Sequence, residues 1–200
     1  TKDFGEYHNV GSVALSADGK YFVAGVAYTN TDDSSADKVY FFRTNSSTPL
    51  WNYTVSDLDN DGRFSVAISK NGDYMVVAAE KLYLFGRNSS NPIWSYNSGN
   101  DFISLDISED GTYIAAADED DLYFFNRNSS TPLWSDSSGV YEYPRDNSVG
   151  ISSDGQYIFS DVYSFDKSYP GNNSLWDANG VSYAVGDVAI SADGQSIIVG

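Results

Sequence analysis

Short runs of alternating apolar residues recur along this chain, and each leads into the same kind of turn. Val13/Leu15, Val66/Ile68, Leu105/Ile107, Val149/Ile151 and Val188/Ile190 place large apolar side chains at every second position. The residues between them are mostly small: Ala14, Ala67, Asp106, Gly150 and Ala189. A period of two is that of a strand, so the large side chains face one neighbour and the small ones face the other. Each run ends in Asp18-Gly19, Asn71-Gly72, Asp110-Gly111, Asp154-Gly155 or Asp193-Gly194, dipeptides that tolerate positive φ in a hairpin turn. A second, apolar strand follows at Tyr21 to Tyr28, Tyr74 to Ala79, Tyr113 to Ala117 and Tyr157 to Ser160. A third, aromatic strand comes next at Val39 to Phe42, Leu82 to Phe85, Leu122 to Phe125 and Val162 to Phe165. A polar turn then leads to a strand that opens on tryptophan. No segment carries a helical period.

Trp51, Trp94, Trp134 and Trp176 fall in one frame, and the turn dipeptides share it. Four short strands per period of about forty residues are the signature of a propeller blade, because one such sheet has two apolar faces that only neighbouring sheets can bury. The expected fold is all-β: a β-propeller of four-stranded antiparallel blades, with four full repeats and a partial fifth. It reads as one domain over 1–200, with units near 11–55, 63–98, 102–138 and 147–178 and a partial unit at 186–200. Residues 1–10 stand where a tryptophan strand would stand and are expected to act as a closing strand. Three arrangements fit the count. They are a five-bladed ring with one incomplete blade, a piece of a larger ring, and an open array completed by a neighbouring chain.

The segment from Val13 to Gly25 resembles WD40-type repeats, and that from Leu122 to Trp134 resembles the tryptophan-docking motif of quinoprotein-type propellers. The second resemblance implies that Trp51, Trp94, Trp134 and Trp176 pack between adjacent blades. Where that motif has Thr-Gly, this chain has Thr48-Pro49, Asn91-Pro92 and Thr131-Pro132.

Composition narrows the function. The chain has 200 residues, 41% hydrophobic and 16% aromatic, which is enough to build a core and rules out a disordered polymer. Its formal net charge of −17 repels nucleic acid and anionic lipid alike. There is no cysteine, hence no disulfide or thiolate site. No apolar run is long enough to span a membrane as a helix. The chain opens on Thr1 with no signal-peptide pattern, so a processed or trimmed N-terminus is expected.

Candidate chemistry is sparse. Asn-x-Ser/Thr sequons lie at Asn45, Asn52, Asn88, Asn128 and Asn172, and three of them are the same Asn-Ser-Ser triplet placed before a tryptophan. They read as N-glycosylation sites of a secreted protein, or as a good turn sequence copied by duplication. Asp57, Asp59 and Asp61, followed by Gly62, match the start of a calcium loop; the twelfth position is Ile68, where an EF-hand has glutamate. The run Asp118 to Asp121 reads as solvated surface charge. His8 is the single histidine, and no Gly-x-Ser-x-Gly elbow or phosphate-cradling glycine loop occurs. Asp106 and Asp187 are the carboxylates closest to a glycosidase pair.

The expectation is a non-enzymatic extracellular or cell-surface module that is N-glycosylated. It acts structurally or by interaction, as a subunit of a surface layer or filament that self-associates or binds other surface proteins through unpaired strand edges. Calcium is the one cofactor that the residues suggest. The alternatives are a carbohydrate-binding or glycoside-hydrolysing propeller and a WD40-like interaction scaffold.

Overall fold

The computed structural model describes residues 8–28, 37–55, 64–137, 148–160, 163–168, 176–177 and 188–199. Among them there are strands and turns and no helix. The first sheet is β1 (His8–Leu15), β2 (Tyr21–Tyr28), β3 (Lys38–Arg43) and β4 (Trp51–Thr54). The second is β5 (Ser65–Ile68), β6 (Tyr74–Ala78), β7 (Leu82–Gly86) and β8 (Trp94–Tyr96). The third is β9 (Ser104–Ile107), β10 (Tyr113–Ala117), β11 (Leu122–Asn126) and β12 (Trp134–Asp136). The fourth is β13 (Val149–Ile151), β14 (Tyr157–Ser160), β15 (Tyr163–Asp166) and β16 (Trp176–Asp177). Of a fifth sheet, β17 (Val188–Ile190) and β18 (Ile197–Val199) are described. Every sheet is antiparallel, with its strands in chain order.

The turn after each leading strand has a common lock. Ser16 donates its hydroxyl to Asp18 at 2.8 Å and accepts the Tyr21 N–H at 3.0 Å, while Gly19 takes φ of 69°. Ser69, Ser108, Ser152 and Ser191 repeat the arrangement with Asn71, Asp110, Asp154 and Asp193. The Lys20 ammonium, then the Lys20 N–H and the Ser16 hydroxyl, hold the Asp18 carboxyl down to about 2.

The sheets stack face to face. Leading strands meet in chain order: β1 with β5, β5 with β9, β9 with β13 and β13 with β17. The cores lie between sheets. Val23, Phe41, Met75, Val77 and Phe85 fill the first interval, and Val76, Leu84, Ile114 and Phe125 the second. Ala115, Phe124 and Ile158 fill the third. All of these are withdrawn from water. The alternation sorts the faces as expected: Val66 and Ile68 pack back on the first sheet, and Ala67 faces the third. The units are thus blade-like, and a ring closed by the fifth sheet on the first is not seen among the described residues.

Residues 8–10, the end of the segment expected as a closing strand, extend β1, pairing with Tyr28, Ala27 and Val26 across an irregularity in register between Val10 and Ser12. Residues 1–7 lie outside the described residues.

Candidate functional site

The most repeated chemistry in this chain lies at the junctions between sheets. Trp51 at the head of β4 donates its indole N–H to the Arg87 carbonyl in the second sheet at 2.8 Å. Trp94 does the same to Arg127 at 2.7 Å, and Trp134 to Lys167 at 3.2 Å. The Trp51 ring sits 5.2 Å from Phe41 in its own sheet and 5.3 Å from Phe85 in the next. Trp176 heads β16, in register with Ser164.

The residue whose carbonyl receives the indole also sends its side chain back. The Arg87 guanidinium lies 4.8 Å from the centroid of Tyr21, and that of Arg127 lies 4.6 Å from Tyr74. The Lys167 ammonium lies 5.6 Å from Tyr113. Cation–π contacts of this kind contribute about 0.5–2 kcal/mol. The turn glycine of the following sheet presses on the same tyrosine: Gly72 on Tyr21, Gly111 on Tyr74, Gly155 on Tyr113 and Gly194 on Tyr157.

A main-chain ladder runs along the same rim. Ala17 N–H donates to Lys70 O, Lys70 N–H to Glu109 O, Glu109 N–H to Ser153 O and Ser153 N–H to Ala192 O, all at 2.9–3.0 Å. Each bond joins one turn to the next sheet's turn. Lys70, Asn71, Glu109, Asp110, Ser153 and Asp154 line a shallow groove of about 470 Å³ there, bridged by a Lys70–Glu109 ion pair at 2.6 Å.

Three of the sequons lie in the turns of this rim. Asn45, Asn88 and Asn128 are exposed in the turns between third and fourth strands, and Asn52 is exposed on β4. Asn172 lies outside the described residues. Within each triplet the middle serine builds the turn: Ser46, Ser89 and Ser129 accept the N–H of Thr48, Asn91 and Thr131 at 3.0 Å. Among the described residues no hydrogen bond engages the side chains of Asn45, Asn88 or Asn128, or the third-position hydroxyls of Ser47, Ser90 and Ser130.

Two carboxylates serve the fold. Asp118, expected as surface charge, is fully buried. It caps its own turn, accepting from Asp120 N at 2.8 Å, Asp121 N at 2.7 Å and the Tyr123 hydroxyl at 3.1 Å. Burial, and then the negative charges of Asp118 and Asp121, push the Tyr123 phenol far above its ordinary value. Asp106 accepts Ile107 N at 2.8 Å on one oxygen and Ile151 N, from the fourth sheet, at 3.0 Å on the other. Its residue keeps some exposure, but its carboxyl group is withdrawn from water, and this desolvation raises it to about 6 against the lowering effect of the two N–H groups. Both oxygens are committed to main-chain donors, which makes Asp106 a tie between sheets. Asp187, its expected partner, and Asp57, Asp59 and Asp61 lie outside the described residues. Among the described residues no three of His, Cys, Asp and Glu converge as metal ligands.

The Asp106 tie has a pH signature. A carboxyl raised in the folded state holds its proton more tightly there than in the unfolded chain. The stability that Asp106 contributes is therefore fullest below about pH 4, is lost as pH rises to about 6 and is level above that, a change of about 3 kcal/mol. Asp106→Ala puts at this position the residue that Ala14 and Ala67 supply in sister sheets. Urea unfolding at several pH values is expected to show a flatter profile for the variant over this window. Parallel profiles would mean that Asp106 is well solvated.

The signals that sequence reading passed over are the cation after the third strand, the tyrosine opening the second and the serine of the turn. All three recur with the tryptophan period and were visible as such. No protein-family model matches the chain, and no curated protein matches it either.

Proposed function

We propose that this chain is an extracellular, N-glycosylated structural or interaction module of β-propeller type, a subunit of a cell-surface layer or filament. The observation that carries this reading is the division of labour in the Asn-Ser-Ser turns. A duplicated turn sequence accounts for the middle serine, which caps the turn. It does not account for an exposed asparagine and a free third-position hydroxyl in three successive sheets, which are the two groups that define an N-glycosylation acceptor. Attached glycans would stand in a row along the turn rim and leave the stacked faces clear. The stacking of leading strands in chain order, as blades sit about an axis, supports the propeller type.

Expression in a glycosylating host tests this. Ser47→Ala, Ser90→Ala and Ser130→Ala each remove an acceptor without touching the turn-capping serine. Each is expected to lower the intact mass by one glycan and to leave the melting temperature unchanged. A parent mass equal to that of the bare polypeptide would overturn the glycan reading.

A further inference from the structure

We propose that copies of this chain associate head to tail, the fifth sheet of one stacking on the first sheet of the next through the junction that already joins its own sheets. This rests on the reading above of a self-assembling module and names the surface that does it. The main-chain ladder has one unused group at each end. Among the described residues no donor reaches the Ala17 carbonyl, and no acceptor takes the Ala192 N–H. These are the groups that the next step of the ladder would join, Ala192 N–H to Ala17 O of another copy.

The side chains at the two ends match in the same way. Val13 in β1 is 63% exposed, whereas Val66 and Val149, at its position in the second and fourth sheets, are 8% and 6% exposed beneath the preceding sheet. Leu15 is 60% exposed, against 6% for Ile107. At the other end, Ile198 pairs with Ala189 as Val23 pairs with Ala14 and Val76 with Ala67. Ile198 is 74% exposed, while Val23 and Val76 are at 0% under the following sheet. Gly19 is likewise the turn glycine with open space where Gly72 and Gly111 meet a tyrosine ring from the preceding sheet. Among the described residues the first and fifth sheets thus present the two halves of the repeated interface. Contacts of that kind are heterologous and build rings or filaments rather than closed pairs. The charge of −17 opposes the approach of copies, so added salt strengthens association.

Sedimentation velocity of the intact chain over a range of concentration and salt tests the proposal, with Leu15→Asp and Ile198→Asp as probes. Both side chains are already in water, so the variants are expected to fold, which thermal unfolding checks. The parent is expected to grow in mean mass with concentration. Each variant weakens association at least about tenfold. A one-to-one mixture of the two recovers dimers and nothing larger, because each variant keeps the end that the other lacks. A parent that stays monomeric at millimolar concentration overturns both this contact and the self-assembly reading. Assembly that persists in either variant overturns this contact alone. Impaired variants that fail to complement each other would place the contact on like faces and overturn the head-to-tail arrangement.

Discussion

Trp94→Ala is expected to lower the free energy of unfolding by about 3 kcal/mol, the low end for a large aromatic side chain because the indole is half-buried. Three losses coincide. The indole leaves the cluster of Val76, Leu84 and Ile114 that joins the second and third sheets. Its ring contact with Phe125, at 5.5 Å between centroids, disappears. The Arg127 carbonyl loses its 2.7 Å donor from the facing sheet. Trp94→Phe separates these effects. It keeps most of the ring contact and removes the donor, so it is expected to cost about 1 kcal/mol. Urea midpoints for the two variants measure both numbers. Equal costs would assign the junction to its hydrogen bond; two negligible costs would mean that the tryptophans do not hold the sheets together.

Gly155→Ala and Gly19→Ala form a matched pair. Both glycines sit at φ of 69° in the same turn, so each alanine carries the backbone strain of a left-handed residue, about 1 kcal/mol. They differ in what lies beyond. A Cβ on Gly155 would run into Cδ2 of Tyr113 and lie 2.9 Å from its Cβ, whereas one on Gly19 meets nothing within 4 Å. Tyr113 cannot swing away freely, because it stacks on Phe124 at 5.3 Å and lies under the Lys167 ammonium. Gly155→Ala is therefore expected to cost about 3 kcal/mol, and Gly19→Ala about a third of that. Thermal unfolding of the two proteins gives the comparison. Equal losses would mean that the tyrosine and the turn are not pressed together across the junction.

Much of this architecture is legible in the amino-acid order, for a physical reason. A repeated sheet imposes its period on every side chain that meets a neighbour, so tryptophan, Asp-Gly and the alternating leading strands recur together. The four-stranded units and their turns followed from that period. The interlocking of cation, tyrosine and glycine was written in the same frame, but only the facing of one sheet on the next shows that the three belong to one contact. The ladder from Ala17 to Ala192 left no trace, since it joins main-chain groups that every residue carries. Asp118 misled because a run of four acidic residues suggests solvent, and its burial depends on the two N–H groups and one phenol that the turn folds around it. The reach of β1 back to His8 was not legible, because the strand runs on past its irregularity, and periodicity is lost at such a point.

Amide hydrogen exchange along the ladder bears most directly on the claim that the fifth sheet of one copy stacks on the first sheet of the next. The N–H groups of Ala17, Lys70, Glu109 and Ser153 are expected to be protected at every protein concentration. That of Ala192 is expected to exchange as a free amide in dilute solution and to become protected as concentration rises. An Ala192 amide protected even at the lowest concentration would mean that the chain closes on itself. One that stays unprotected at the highest would mean that the stack ends where the molecule does, and either result contradicts the account.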